Sequence, residues 1–267
     1  MRLTPTLRRQ RGVSLLELMI GITVGLLVLA SSLVIYLSGS RGATDSLRVS
    51  RFNQNVREIV NIMSADIRRA GYTAVNTAGT TNVFTAAANN VVISGSCILY
   101  AYDATFLGGA VGVADAGVDF FGFRLNNNTV QMLSPAAGVA STAAGACTTD
   151  GNWVNLTDPN EITVTALNFD TIGSRCLAYT IATFKADDPT TYTQWTTTAG
   201  TGSACDSPPT GFTAPNAATQ FIVETRQVQI SMTANHARDA TLTRSTANNA
   251  VRETILIRNN RTSAPPP

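Results

Sequence analysis

Lysine is almost missing from this chain of 267 residues, histidine occurs once, and no proline stands between Pro5 and Pro135. The charged fraction is 13%, roughly half of what soluble domains carry. A chain this poor in charge gives no broad electrostatic reason to bind nucleic acid. The single lysine is Lys185 and the single histidine is His236. His236 has no acid or cysteine at motif spacing, so it reads as a surface or hairpin histidine. Also absent are a Gly-rich phosphate loop, a G-x-S-x-G elbow and an H-E-x-x-H helix. Cys97, Cys147, Cys176 and Cys205 lie far apart with no C-x-x-C pair, which argues against zinc. No catalytic residue, metal or cofactor is therefore expected, and Asp187-Asp188 before Pro189 reads as a solvated turn.

What replaces the charge is Thr, Asn, Ala, Ser and Gly, a mixture common in exported β-rich proteins. For an exported head the even cysteine count favours two disulfides, and three connectivities are open.

The informative stretch is the beginning. Arg2, Arg8, Arg9 and Arg11 precede VSLLELMIGITVGLLVLASSLVIYLSGS, and no charge occurs from Leu18 to Ser40. As a helix the apolar run Leu18 to Leu37 is about 30 Å long, the thickness of a bilayer's hydrocarbon core. The arginines ahead of it should hold the N-terminus in the cytoplasm, with the rest of the chain beyond the membrane. A secretory signal would have a shorter apolar region and a small-residue cleavage site. Here Leu29-Ala30-Ser31 is followed at once by more apolar sequence. An ordinary anchor fits the length but leaves Glu17 unexplained, because a carboxylate in such a helix is costly. A cut between Gly12 and Val13 would expose an α-amino group about one helical turn from Glu17. A neighbouring subunit's amine could serve equally well. Gly21 and Gly25 form a small-xxx-small pattern that lets helices approach closely.

Gly12-Val13-Ser14-Leu15-Leu16-Glu17-Leu18 resembles the class III signal of type IV prepilins and type II secretion pseudopilins. The resemblance implies that a prepilin peptidase cuts after Gly12 and methylates Val13. It also implies that Glu17 directs assembly by pairing with an amine in the growing fibre. The family usually has phenylalanine where Val13 stands, and the proline kink of many major pilins is absent here.

After Arg41 the pattern becomes amphipathic, with Phe52, Val56, Ile59, Val60, Met63, Ile67 and Ala70 at helical spacing. A helix is expected from about Val13 to Ala70, ended by Gly71. The string Asp66-Ile67-Arg68-Arg69-Ala70-Gly71-Tyr72 resembles PilW-type minor pilins, as does Ile255-Leu256-Ile257-Arg258-Asn259-Asn260. Expected strands are 91–93, 97–102, 118–125, 129–133, 162–170, 176–184, 221–235 and 253–258, with a hairpin turn at Asn126-Asn127-Asn128. Val228, Ile230 and Met232 should face inward. Residues 187–215 read as a long surface excursion. The disulfide-closed loop of many pilins implies a Cys176–Cys205 bridge, which leaves Cys97 with Cys147.

The expected fold class is α+β: a long N-terminal α-helix, apolar in its first half, packed under an antiparallel β-sheet head. The expected organisation is a leader at 1–12, a transmembrane and fibre-core half at 13–40, and an amphipathic half at 41–71. A periplasmic head at 72–262 and a disordered tail at 263–267 complete it. The resemblance implies a PilW-like minor pilin that takes part in type IV pilus assembly and initiation near the fibre tip, first in the inner membrane and then on the cell surface. Its partners would be other pilins and minor pilins, the prepilin peptidase, the inner-membrane assembly platform and membrane lipid. A minor pseudopilin of a type II secretion system, and a membrane-anchored exported binding domain, are the alternatives.

Overall fold

The computed structural model describes residues 12–75, 82–86, 89–104, 107–134, 139–148, 153–197, 200, 203–206, 208–216, 219–244 and 250–262. Residues 1–11 of the expected leader and 263–267 of the expected tail lie outside these. The chain divides into two compact units, Met1–Arg51 and Phe52–Pro267. A single helix, α1 (Leu15–Ile67, 53 residues), contributes to both.

In the first unit every described residue is exposed. The large apolar side chains from Val13 to Leu37 are 45 to 76% exposed. This part of α1 is long and apolar enough to cross a membrane. Three of its hydroxyls are satisfied within the helix: Thr23 Oγ1 donates to the Ile20 carbonyl (2.9 Å), Ser31 Oγ to Val28 (2.9 Å) and Ser32 Oγ to Val28 (2.8 Å). A hydrocarbon solvent would therefore meet no orphaned hydroxyl on these turns.

In the second unit the expected stripe is the core face of the helix. Phe52, Val56, Ile59, Val60, Met63, Ile67 and Ala70 are all buried. Burying each of the larger side chains is worth about 1.5–3 kcal/mol. The α-helix stops at Ile67, three residues before the expected end. Arg69 and Ala70 donate to Asp66 and Ile67, both at 3.0 Å, so the last turn tightens to an i→i−3 pattern. Gly71 has φ +74°, and its N–H reaches out to the Ala101 carbonyl (2.8 Å).

All strand pairings are antiparallel, as expected, but the strands form three sheets and not one. The first is a meander of β1 (Val92–Ser94), β2 (Cys97–Ala101), β3 (Phe120–Asn126), β4 (Thr129–Leu133) and β5 (Trp153–Asn155). β2 is buried throughout, because Ile98 and Tyr100 join the helix core while Cys97 and Leu99 join a satellite cluster with Leu133 and Cys147. The β3–β4 hairpin turns at Asn127 (φ 48°) and Asn128 (φ 60°), the left-handed pair that a two-residue turn requires.

The second sheet combines β6 (Ile162–Asp170), β10 (Gln227–His236), β11 (Asp239–Arg244) and β12 (Val251–Leu256). Val228, Ile230 and Met232 are fully buried, together with Ala234. The third sheet has the order β13-β9-β7-β8, from β7 (Arg175–Tyr179), β8 (Tyr192–Thr196), β9 (Phe221–Thr225) and β13 (Arg261–Thr262).

Several expected boundaries are corrected. The single strand expected over 221–235 is two strands in different sheets, broken at Arg226, whose side chain turns inward. The strand expected to reach Phe184 ends at Tyr179. There a turn folds Phe184 back onto the Tyr179 ring, with centroids 4.3 Å apart. The excursion at 187–215 contains β8, paired along β7, and Trp195 in it is buried. The last long strand begins at Val251 and ends at Leu256, earlier than expected. β5, β11 and β13 are additional to the expected strands.

Candidate processing and assembly site

Gly12, Val13 and Ser14 lie outside the helix and are exposed, and α1 begins at Leu15. The transition is made by Ser14. Its Oγ accepts a hydrogen bond from the Glu17 N–H (3.2 Å), and its carbonyl accepts from the Leu18 N–H (3.1 Å). Ser14 is thus the N-cap and Glu17 the third residue of the first turn, in the S-x-x-E order of a capping box. A carboxylate in the first turn is also favoured by the positive end of the helix dipole. Glu17 is therefore placed by local helix chemistry beside the Gly12–Val13 bond. A Cβ added to Gly21 or Gly25 would meet nothing within 4 Å, so both glycines open on free helix surface.

The Asp66–Tyr72 string sits at a polar junction in the second unit. Tyr100 and Tyr102 donate their hydroxyls to the Asp66 carboxylate, Tyr102 at 3.0 Å. Arg69 donates to the Tyr102 hydroxyl (3.4 Å) and lies 3.6 Å from Asp66. Burial, reinforced by the Asp66 charge, pushes both phenols well above their ordinary range. Behind this junction Arg226 is 4% exposed. It donates to Asn90 Oδ1 (2.7 Å), to the Ala70 carbonyl (3.2 Å) and to the Asn259 carbonyl (2.7 Å). Burial pushes its guanidinium down to about 10, against the pull of Glu224. Arg68 reaches Glu253 of β12 at 3.3 Å. Both stretches that resemble minor pilins, at 66–72 and 255–260, meet in this junction.

Both disulfides form, Cys97–Cys147 and Cys176–Cys205. Beside the second, Trp195 Nε1 donates to the Ala204 carbonyl (2.7 Å), and buried Glu224 accepts from Ser203 (2.9 Å) and pairs with Arg261 (3.3 Å). His236 ends β10, with its Nδ1 accepting from the Arg238 N–H (3.2 Å). Asp188 caps a short turn by accepting from the Thr190 N–H (3.0 Å). Among the described residues no group of His, Cys, Asp or Glu is arranged to hold a metal.

The reading of the sequence passed over Ser14, although the S-x-x-E spacing was its signal. It also passed over Arg226, for which no local pattern exists, because its partners come from residues 70, 90 and 259.

An apolar, exposed N-terminal helix that enters an antiparallel β head through an amphipathic second half defines a type IV pilin-like protein. The prokaryotic N-terminal methylation motif matches residues 7–33. The family described as prepilin peptidase-dependent protein B matches residues 45–252, and the chain belongs to that family. No curated protein and no solved structure is a match. Membership implies processing by prepilin peptidase and assembly with other pilins.

Proposed function

We propose that this chain is a PilW-like minor subunit of a type IV pilus, a structural protein and not an enzyme. The apolar half of α1 anchors it in the inner membrane, with residues 1–12 as leader and residues 72–262 as a periplasmic head. Prepilin peptidase cuts between Gly12 and Val13 and methylates Val13. The subunit then enters the fibre near its tip and helps to initiate assembly.

The observation that carries this reading is Glu17, the only charge between residues 13 and 40. It stands on the first turn of the exposed apolar half of α1, within the matched methylation motif. In a bilayer such a carboxylate costs about 2.5–3.5 kcal/mol at mid-depth and less toward the edge, so a cationic partner is needed. Leader removal frees an amine four residues away, and a neighbouring subunit brings another. Gly21 and Gly25 let neighbouring helices close up in the fibre core. The assembly platform and membrane lipid complete the set of partners.

Mass spectrometry of the membrane-extracted protein tests the reading. A chain that starts at methylated Val13 supports it. A mature start at Met1, or one after Ala30, defeats it.

A further inference from the structure

We propose that Ser14 is a positioning residue for leader removal: by capping α1 it keeps the Gly12–Val13 bond out of the helix. The inference rests on the prepilin reading above. Ser14 Oγ accepts from the Glu17 N–H at 3.2 Å, the helix starts one residue later, and Gly12 to Ser14 remain non-helical. Independently, the prokaryotic N-terminal methylation motif matches residues 7–33, a span that includes this bond. Val13 is 71% exposed, and a Cβ on Gly12 would meet nothing within 4 Å.

Hydrolysis adds water across the bond between the Gly12 carbonyl carbon and the Val13 nitrogen. The products are a Gly12 carboxylate and a Val13 ammonium group. The carbonyl under attack must be free to be polarised by the peptidase. An N-cap residue's carbonyl is not free, because it accepts the first intrahelical hydrogen bond. With Ser14 as cap, that carbonyl is its own, bound by the Leu18 N–H at 3.1 Å. Without the Ser14 side chain, the next residue upstream with N-cap preference is Gly12. The scissile carbonyl would then become the first helical acceptor, and Val13 would enter the first turn. Ser14 thus sets the boundary between the stretch the peptidase cuts and the helix the membrane keeps.

The test uses the full chain in membranes with prepilin peptidase, with leader removal timed by gel shift and the new N-terminus read by mass. Ser14→Ala is expected to slow cleavage about five-fold, the effect of losing one cap. Ser14→Asn and Ser14→Thr, which both cap, restore it, while disulfide formation in the head is unchanged in all three. Wild-type cleavage of Ser14→Ala overturns the proposal. Rescue by threonine but not by asparagine also overturns it, because the peptidase would then be reading the hydroxyl itself. A wild-type chain left uncut at Gly12–Val13 overturns the prepilin reading, and this proposal with it.

Discussion

Arg226 donates through Nη2 to the carbonyl of Ala70 at 3.2 Å, tying the break between β9 and β10 to the end of α1. The same guanidinium holds Asn90 and Asn259, so one buried cation gathers three distant parts of the chain. Arg226→Met removes all three of these hydrogen bonds at once. A loss of about 3 kcal/mol is expected in chemical denaturation of the detergent-solubilised protein. Gly71→Ala should weaken the same joint, since its backbone is left-handed and the new Cβ would collide with the Arg226 guanidinium. Unchanged midpoints in both variants would remove Arg226 from this role.

The two phenols on Asp66 give a pH prediction. Their folded pKa values lie above the unfolded value near 10. The stability they contribute is therefore fully present below pH 10 and is lost as pH rises toward the raised values, because the unfolded chain releases protons that the folded one keeps. Arg226 acts in the opposite sense, since its folded value is lowered. The tyrosine contribution is isolated by comparing wild type with Tyr100→Phe/Tyr102→Phe. In an ultraviolet titration, Tyr100 and Tyr102 should stay un-ionised at pH 11 until the head unfolds, a late step that the double variant lacks. A wild type that shows no such late step would contradict the Tyr100–Tyr102–Asp66 junction.

On the inner row of β10, Ile230→Ala should cost about 2–5 kcal/mol, because its site is fully enclosed. The neighbouring Gln229→Ala should change stability by no more than about 0.5 kcal/mol. Thermal melts of the two variants side by side check the alternation.

Glu17→Ala is expected to leave membrane insertion intact, since it makes the first turn more apolar. It should sharply reduce the amount of protein recovered in sheared fibres. Wild-type recovery of this variant would refute the assembly role assigned to Glu17.

Much of this architecture was legible wherever one period dominated a stretch. Phe52 to Ala70 repeats every three or four residues and is the core face. Val228, Ile230 and Met232 alternate and are buried. Paired asparagines sit at the two-residue turn between β3 and β4, where both have positive φ. β8 was hidden because Tyr192-Thr193-Gln194-Trp195-Thr196 has only one strongly buried side chain, Trp195, which is fixed by a bond to distant Ala204. The division of 221–235 was hidden for a related reason: an arginine inside a strand-like run reads as a wet position unless its remote partners are known. At the processing site the glycine, the acid and the apolar run were evident. The capping serine is less legible, because the Glu17 carboxylate in an apolar run fits an external amine as well as it fits the S-x-x-E cap.

The two sulfur bridges follow one another along the chain without overlap: residues 97 and 147 close the first loop before residues 176 and 205 open the second. If the head crosses the membrane in chain order after α1, as the proposed function requires, these thiols emerge in pairing order. An oxidase on the far side could join each pair as it emerged, and the native linkage would need no later reshuffling.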